Sequence, residues 1–241
     1  MPPSGGKKTP MTCENCLCPF HELPDADNPF CDPAVRCMVT DAVKEIRFQN
    51  GEILFSKGQP STNLYALRSG IVKICCSTPD GREQIVGISS PGNLLVGLQS
   101  VQDDCYEYSA IAATDGTGCR ISHRGMLAKM KQRPDLSMGL VTALNAQLAH
   151  SRELMRVMGH KCAAAKIASF ISLLVPKAEH MNHRFHLPFS RMEIASLLGL
   201  SEETVCRQMA KLKRKGVIYA PRGRIEILDW KQLRTVAEEA A

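Results

Sequence analysis

The stretch that decides the fold is Ser190-Arg-Met-Glu-Ile-Ala-Ser-Leu-Leu-Gly-Leu-Ser-Glu-Glu-Thr-Val-Cys-Arg-Gln-Met-Ala-Lys-Leu-Lys-Arg214. It begins with a capping-box pattern, because the Ser190 hydroxyl can accept from the Glu193 amide while the Glu193 carboxylate accepts from the Ser190 amide. Gly199 suits a helix end that needs a positive φ, and Ser201 can cap a second helix. Cap, turn and second cap in this order predict a helix-turn-helix.

The second helix of this pattern has an apolar side and a basic side. Its apolar stripe consists of Val205, Met209 and Leu212. Within 190–224, eight Lys and Arg residues stand against three Glu residues, an excess that attracts DNA phosphates. The segments 216–220 and 223–228 read as a two-stranded wing. Residues 161–241 are therefore predicted to form a winged helix-turn-helix DNA-binding domain.

Residues 41–123 carry short apolar segments separated by turn residues. Examples are Glu52-Ile-Leu-Phe55, Ile71-Val-Lys-Ile74 and Gln84-Ile-Val-Gly-Ile88. Regular spacing with glycine-rich corners favours a small β-roll, or jelly-roll, domain. The predicted fold class is α+β, with the β-roll first, a long helix next and the winged helix-turn-helix last.

The hydrophobic period changes at Arg124, and a helical pattern with Pro134 near a helix start continues to His160. Steps of three and four, typical of a coiled-coil seam, connect Val141, Leu144, Leu148, Ser151, Met155 and Met158. A second apolar face consists of Leu140, Leu154 and Val157. One face can pack on the β-roll and the other on a second chain, so 124–160 is predicted to be a dimerisation helix.

Residues 1–40 are predicted to form an irregular N-terminal arm that is rich in cysteine, proline and asparagine. Five of the chain's 11 cysteines lie there, at Cys13, Cys16, Cys18, Cys31 and Cys37. The arm lacks apolar residues for a core of its own, and a bound metal would order it. A Cys-x-x-Cys pair such as Cys13 and Cys16 suits zinc or an iron–sulfur cluster, and the residues alone leave both open.

The composition narrows the functional class. A hydrophobic content of 44% and a charged content of 22% are typical of globular proteins, and no apolar run approaches the roughly 18 residues of a membrane span. The N-terminus lacks the apolar region of a secretory signal, so we expect a cytoplasmic protein whose thiols stay reduced. No phosphate-binding loop, paired carboxylates or nucleophile motif occurs, and we expect no enzymatic activity.

Together these motifs resemble the cyclic-AMP receptor/fumarate–nitrate reduction regulator (Crp/Fnr) superfamily of bacterial transcription factors. The resemblance is carried by Gly51-Glu-Ile-Leu-Phe-Ser-Lys-Gly58, Leu64-Tyr-Ala-Leu-Arg-Ser-Gly70 and Leu200-Ser-Glu-Glu-Thr-Val-Cys-Arg207. It covers essentially everything from residue 40 onward. It implies a homodimer that binds palindromic promoter DNA and works with RNA polymerase.

The resemblance also implies which residues read DNA. The family's Glu-x-x-Ser-Arg pattern corresponds here to Glu203, Cys206 and Arg207, and we add Thr204 and Lys211 to the expected contacts. An arginine can donate two hydrogen bonds to guanine, and a glutamate can accept from cytosine. Cys206 replaces the usual serine of the oxygen-sensing branch. A thiol is larger and a weaker donor, which leaves the preferred base pair open.

The effector is predicted from two further comparisons with the family. Members that bind nucleotides grip the cyclic phosphate with an Arg-Ser or Arg-Thr pair, whereas no arginine lies between Gly92 and Ser109. We therefore expect no cyclic nucleotide. The resemblance to the oxygen-sensing branch implies a [4Fe-4S] cluster, sensitive to oxygen or nitric oxide. The implied ligands are Cys13, Cys16, Cys31 and Cys119, with Cys18 as the alternative third ligand.

Other sensing chemistries on the same fold stay open. A cofactor-free cysteine redox switch, a zinc-binding regulator and a haem-binding regulator with His21 or His123 as axial ligand are the alternatives. In oxygen-sensing relatives the position of Ser151 carries an acidic residue that holds the clusterless chains apart. Because Ser151 is neutral, we expect the clusterless protein to dimerise more readily.

Overall fold

The computed structural model describes residues 43–77, 83–91, 94–95, 105–132, 134–174, 184–221 and 224–238. The strands in chain order are β1 (Val43–Phe48), β2 (Ile53–Phe55), β3 (Asn63–Ser69), β4 (Val72–Ser77), β5 (Glu83–Ser89), β6 (Leu94–Leu95), β7 (Ser109–Ala112), β8 (Gly116–Ser122), β9 (Arg184–His186), β10 (Ile218–Tyr219) and β11 (Arg224–Ile227). The helices are α1 (His123–Gln132), α2 (Asp135–Gly159), α3 (Ala163–Leu174), α4 (Arg191–Leu198), α5 (Glu202–Arg214) and α6 (Trp230–Glu238). The predicted arm, 1–40, lies outside the described residues.

Two antiparallel sheets form the β-roll, which confirms the predicted fold. The first sheet has the strand order β1-β8-β3-β6 and the second has the order β2-β7-β4-β5. Apolar side chains from both sheets share one buried cluster that includes Phe48, Leu67 and Val72. Within it, the Phe55 and Tyr106 rings stack with centroids 4.1 Å apart. This shared core joins the two sheets into one unit.

The segment predicted as the dimerisation helix consists of two helices, α1 and α2. The change from one to the other falls at Pro134, which occupies the N-cap position of α2 and has no amide hydrogen to donate. Helix α2 contains 25 residues and is therefore about 37 Å long. Its buried residues Leu140 and Ala143 cluster with Leu64 and Met126, so α2 packs with α1 on the first sheet.

The C-terminal domain has the predicted helix-turn-helix. The Ser190 amide donates to Glu193 Oε2 (2.8 Å) and the Glu193 amide donates to Ser190 Oγ (3.1 Å), which completes the capping box. Gly199 ends α4 with a φ of +62°. Val205 and Met209, both buried, hold α5 to the domain core.

The wing differs from its prediction. Strands β10 and β11 pair as expected, but β9 adds a third strand on the other side of β11. The sequence shows no signal for this pairing, because β9 is short and lies far upstream of β11. Among the described helices, none combines the length and the apolar character that crossing a membrane requires.

We predict that Gly199→Ala lowers the free energy of unfolding by about 1–2 kcal/mol, because an added Cβ disfavours the left-handed backbone. The matched control is Gly159→Ala at the end of α2, where the backbone is helical. An added Cβ meets nothing within 4 Å at either position. Urea unfolding followed by circular dichroism should show the loss for Gly199→Ala only, and an equal loss in both variants would contradict the backbone explanation.

Candidate nucleic-acid interface and sensor cysteine

Helix α5 presents a polar face to solvent. Its start is fixed by Ser201, whose hydroxyl accepts from the Thr204 amide at 3.2 Å. Glu203, Arg207 and Lys211 are exposed and follow one another at intervals of four residues, which places them along one side of the helix. The opposite side is buried in the domain. The helix is therefore anchored by one face and free to meet a ligand with the other.

The exposed residues of α5 carry groups that match base edges and phosphates. Arg207 Nη1 donates to Glu203 Oε1 at 3.3 Å. Both side chains are largely in solvent, where such an ion pair contributes little, so both groups can exchange it for contacts to bases. The thiol of Cys206 is exposed beside Arg207, and Thr204 is half-buried at the edge of the same face. This arrangement suits insertion into a major groove.

Helix α2 carries an exposed apolar stripe on the side away from the first sheet. Its members are Met138 (64% exposed), Val141 (49%), Leu148 (46%), Met155 (59%) and Met158 (42%), and Ser151 is exposed among them. Leu144 differs from the other seam residues, because it is half-buried against the cluster beneath α2. Met138 was not part of the predicted seam, although its spacing of three from Val141 would have identified it.

Cys119 lies on β8 beneath the helices and is 7% exposed. It belongs to the buried cluster that contains Leu140 and Ala143 of α2. Its register partner on β1 is Glu45. The described chain begins two residues before Glu45, at Val43, which pairs with Ile121. The first described residue of the chain is therefore close to Cys119 on the neighbouring strand.

The other predicted metal ligands are Cys13, Cys16, Cys18 and Cys31, and all of them lie outside the described residues, as does His21. Within the described segments, no group of three or more His, Cys, Asp or Glu residues could hold a metal ion. The His123 ring forms a hydrogen bond from Nδ1 to the Ser61 carbonyl oxygen at 2.9 Å. Of the predicted cluster ligands, Cys119 is the one that the described residues include.

Fold and surface together define a two-domain, DNA-binding regulator, and comparison with known proteins agrees. Residues 45–133 match the family described as cyclic nucleotide-binding domain, and residues 165–236 match the Crp-like helix-turn-helix domain. The segment 92–109, whose lack of arginine led us to expect no cyclic nucleotide, lies within the first match, and most of it is outside the described residues.

Similar proteins cover most of the chain. The transcriptional activator protein anr of Pseudomonas aeruginosa is 31% identical over 192 residues, 78% of each chain. The nitrogen fixation regulation protein FixK of Bradyrhizobium diazoefficiens is 31% identical over 199 residues, 80% of this chain and 82% of that protein. The solved structure of FixK2 from Bradyrhizobium japonicum shares the fold with a TM-score of 0.68 at 22% identity, over 80% of this chain and 96% of that one.

The chain belongs to the Crp/Fnr family of bacterial transcription regulators. Membership confirms the predicted DNA-binding class and implies that the chain dimerises. The family is not enzymatic, which agrees with the absence of a catalytic motif from the sequence.

Proposed function

We propose that the protein regulates transcription in response to oxygen or nitric oxide, through a [4Fe-4S] cluster, as a homodimer on palindromic promoter DNA. The observation that carries the DNA part is the exposed line of Glu203, Arg207 and Lys211 on the helix that follows the Gly199 turn. We further propose that it acts in the cytoplasm with RNA polymerase as partner and without a cyclic nucleotide.

For DNA reading, two chains paired through α2 would present their α5 helices about 34 Å apart, one helical turn of DNA. Arg207 then donates to a guanine and Glu203 accepts from a cytosine, while Lys211 approaches a phosphate. The Cys206 thiol is a weaker donor than a hydroxyl, so it reads its base pair less selectively. Thr204 lies beside Arg207 and orients it, with Arg207 Nη2 donating to its hydroxyl at 3.4 Å.

We predict that Arg207→Gln weakens binding to the palindrome by about 10-fold or more, because each bidentate contact discriminates by roughly 1–3 kcal/mol. Arg207→Gln should also abolish the preference for one base pair in each half-site. The control Lys213→Gln removes an exposed charge from the same helix and should weaken binding to all DNA sequences by the same factor. Fluorescence anisotropy with singly substituted palindromes measures both effects. Equal weakening of palindrome and random DNA by Arg207→Gln would rule out its role in base reading.

The apolar stripe of α2 supports the dimer. Five large apolar side chains exposed along one helix form a patch that association would bury. Ser151 adds no charge to this patch, so we propose that the clusterless protein retains a substantial tendency to dimerise. Leu144, which packs on its own β-roll, contributes to rigidity more than to the contact between chains.

We predict that Leu148→Glu shifts the protein to monomers, because a dimer would bury its carboxylate in an apolar seam. Leu127→Glu is the matched control, since Leu127 lies on α1 and is 49% exposed, close to the 46% of Leu148. Sedimentation velocity should show a weaker dimer for Leu148→Glu and an unchanged one for Leu127→Glu. Identical association of the two variants would exclude the stripe as the interface.

The proposed cluster site consists of Cys13, Cys16, Cys31 and Cys119, with Cys18 as the alternative to Cys31. Cys31 lies about a dozen residues before Val43, and an extended segment of that length spans about 40 Å, enough for the arm to return to Cys119. When bound, the cluster would supply an iron–sulfur centre that oxygen or nitric oxide can destroy.

The packing of Cys119 suggests how the signal spreads. Its side chain shares a buried cluster with Leu140 and Ala143, so displacement of the thiol changes the packing beneath α2. Because the outer side of the same helix carries the stripe, such a change alters the dimer equilibrium. We propose a coupling of about 1–3 kcal/mol, typical of allosteric proteins.

We predict that protein purified without oxygen contains about four iron and four sulfide per chain, and that Cys119→Ala loses most of both. The control is Cys105→Ala, which removes an exposed β-roll thiol and should leave the iron content unchanged. Elemental analysis with the visible spectrum separates the alternatives. A metal-free, colourless protein would favour a thiol switch, zinc would favour a zinc regulator, and a haem spectrum would favour haem, each against the proposed cluster.

A further inference from the structure

An ion pair connects the β-roll with the DNA-binding domain. Lys73 Nζ on β4 donates to Glu193 Oε1 on α4 at 2.6 Å, across 120 residues of sequence. The two side chains are only 18% and 29% exposed. Partial removal from water strengthens the attraction between such charges compared with a pair at the surface.

Glu193 has a second role at the same time. While Oε1 accepts from Lys73, Oε2 accepts from the Ser190 amide at 2.8 Å and closes the capping box of α4. Burial, the largest influence, opposes ionisation of the Glu193 carboxyl, but the hydrogen bonds from Lys73 and Ser190 together lower its pKa. One carboxylate therefore fixes the first turn of α4 both to its own helix and to β4.

Apolar residues of both domains surround this contact. Cys75, Ile85 and Ile88 of the second sheet share a buried cluster with Ile194 and Leu197 of α4. Apolar packing is not directional, so it permits the domains to rotate or slide more readily than a hydrogen-bonded ion pair does. The ion pair is a directional element of the contact between them.

The orientation of α4 determines the orientation of α5, which follows it after the single Gly199 turn. In this structure the polar face of α5 stays exposed while α4 is held on β4 and β5. Binding both halves of a palindrome requires two α5 helices at a fixed separation. A DNA-binding domain (called the reading domain from here on) that swings freely has a lower effective concentration at the second half-site.

We propose that Lys73 is a positioning residue for DNA binding, which orients the reading domain on the β-roll through its ion pair with Glu193. The role of Lys73 rests on the proposed binding of a palindrome by a dimer. It adds a direct polar connection between the second sheet and the reading domain, next to the apolar cluster that also includes Leu154 and Val157 of α2.

The first test is DNA affinity of the full-length variants Lys73→Gln and Glu193→Gln. Glu193→Gln removes the charge but keeps a side-chain oxygen for the Ser190 amide. Each variant should bind the palindrome about 5- to 10-fold more weakly, as expected for losing a partly buried ion pair in each chain. A duplex with a single half-site should be bound within about 2-fold of the original affinity, because it requires no fixed separation.

Two controls identify the ion pair as the cause. Lys57→Gln removes an exposed lysine from the same β-roll and should change neither affinity. The double variant Lys73→Gln/Glu193→Gln should bind the palindrome no more weakly than either single variant, because both changes remove the same interaction. The positioning role would be overturned if the two substitutions lowered affinity additively, or if affinity for the palindrome and for the half-site fell equally.

The second test needs no DNA and uses the thiol of Cys75, which is buried in the contact between the domains. Burial, followed by the Glu83 charge, raises the pKa of this thiol to about 11, so it is alkylated slowly while the domains are docked. Lys73→Gln should accelerate iodoacetamide labelling of Cys75 several-fold, measured by peptide mass spectrometry, and leave labelling of Cys119 unchanged. Because the Lys73 charge lowers the pKa of the Cys75 thiol, its loss alone would slow the labelling, so acceleration reports exposure of Cys75. Unchanged labelling of Cys75 would overturn the proposal even if the palindrome bound as expected. Failure of the unmodified protein to bind a palindrome would contradict the proposed function instead.

Discussion

The packing of α2 on the first sheet is the constraint on which the other functional features depend. Leu140 and Ala143 are buried against Leu64 and Cys119, and this contact fixes the rotation of the helix about its own axis. A helix held in this way must present its opposite side to solvent, and there the stripe around Leu148 lies. The same contact places Cys119, the proposed sensor thiol, beneath α2. The proposed sensor thiol and the proposed dimer stripe therefore lie on opposite sides of one helix.

The features that were predictable from sequence depend on residues three or four positions apart. The capping box at Ser190 and the glycine turn at Gly199 are local hydrogen-bonding and backbone requirements, so short patterns reveal them. The two apolar faces of α2 follow equally from helical periodicity. Leu144 shows the limit of that method. It lies four residues after Leu140 and three after Val141, at the border of both faces, and only the packing shows that it belongs to the inner one.

The features that were not predictable join distant parts of the chain. Lys73 and Glu193 are 120 residues apart, and no periodic pattern connects a strand of one domain with a helix cap of another. The third strand of the wing is another case, because β9 is three residues long and its partner β11 comes after two helices. The burial of Cys119 is a third feature that the sequence did not predict. Alternation along β8 indicates a strand, but the helices that cover the thiol depend on tertiary packing.

The two sheets of the β-roll contact different parts of the rest of the molecule. The first sheet contacts α2 through Cys119 and its neighbours, whereas the second contacts the reading domain through Lys73 and the apolar cluster around Cys75. The stacked Phe55 and Tyr106 rings belong to the close-packed core that joins both sheets, and such a core transmits strain. Helix α2 makes a further connection, because its Leu154 and Val157 belong to the same buried cluster as Cys75 and Ile194. On the proposed function, a change at Cys119 would therefore reach both the pairing of the chains and the orientation of the reading domain.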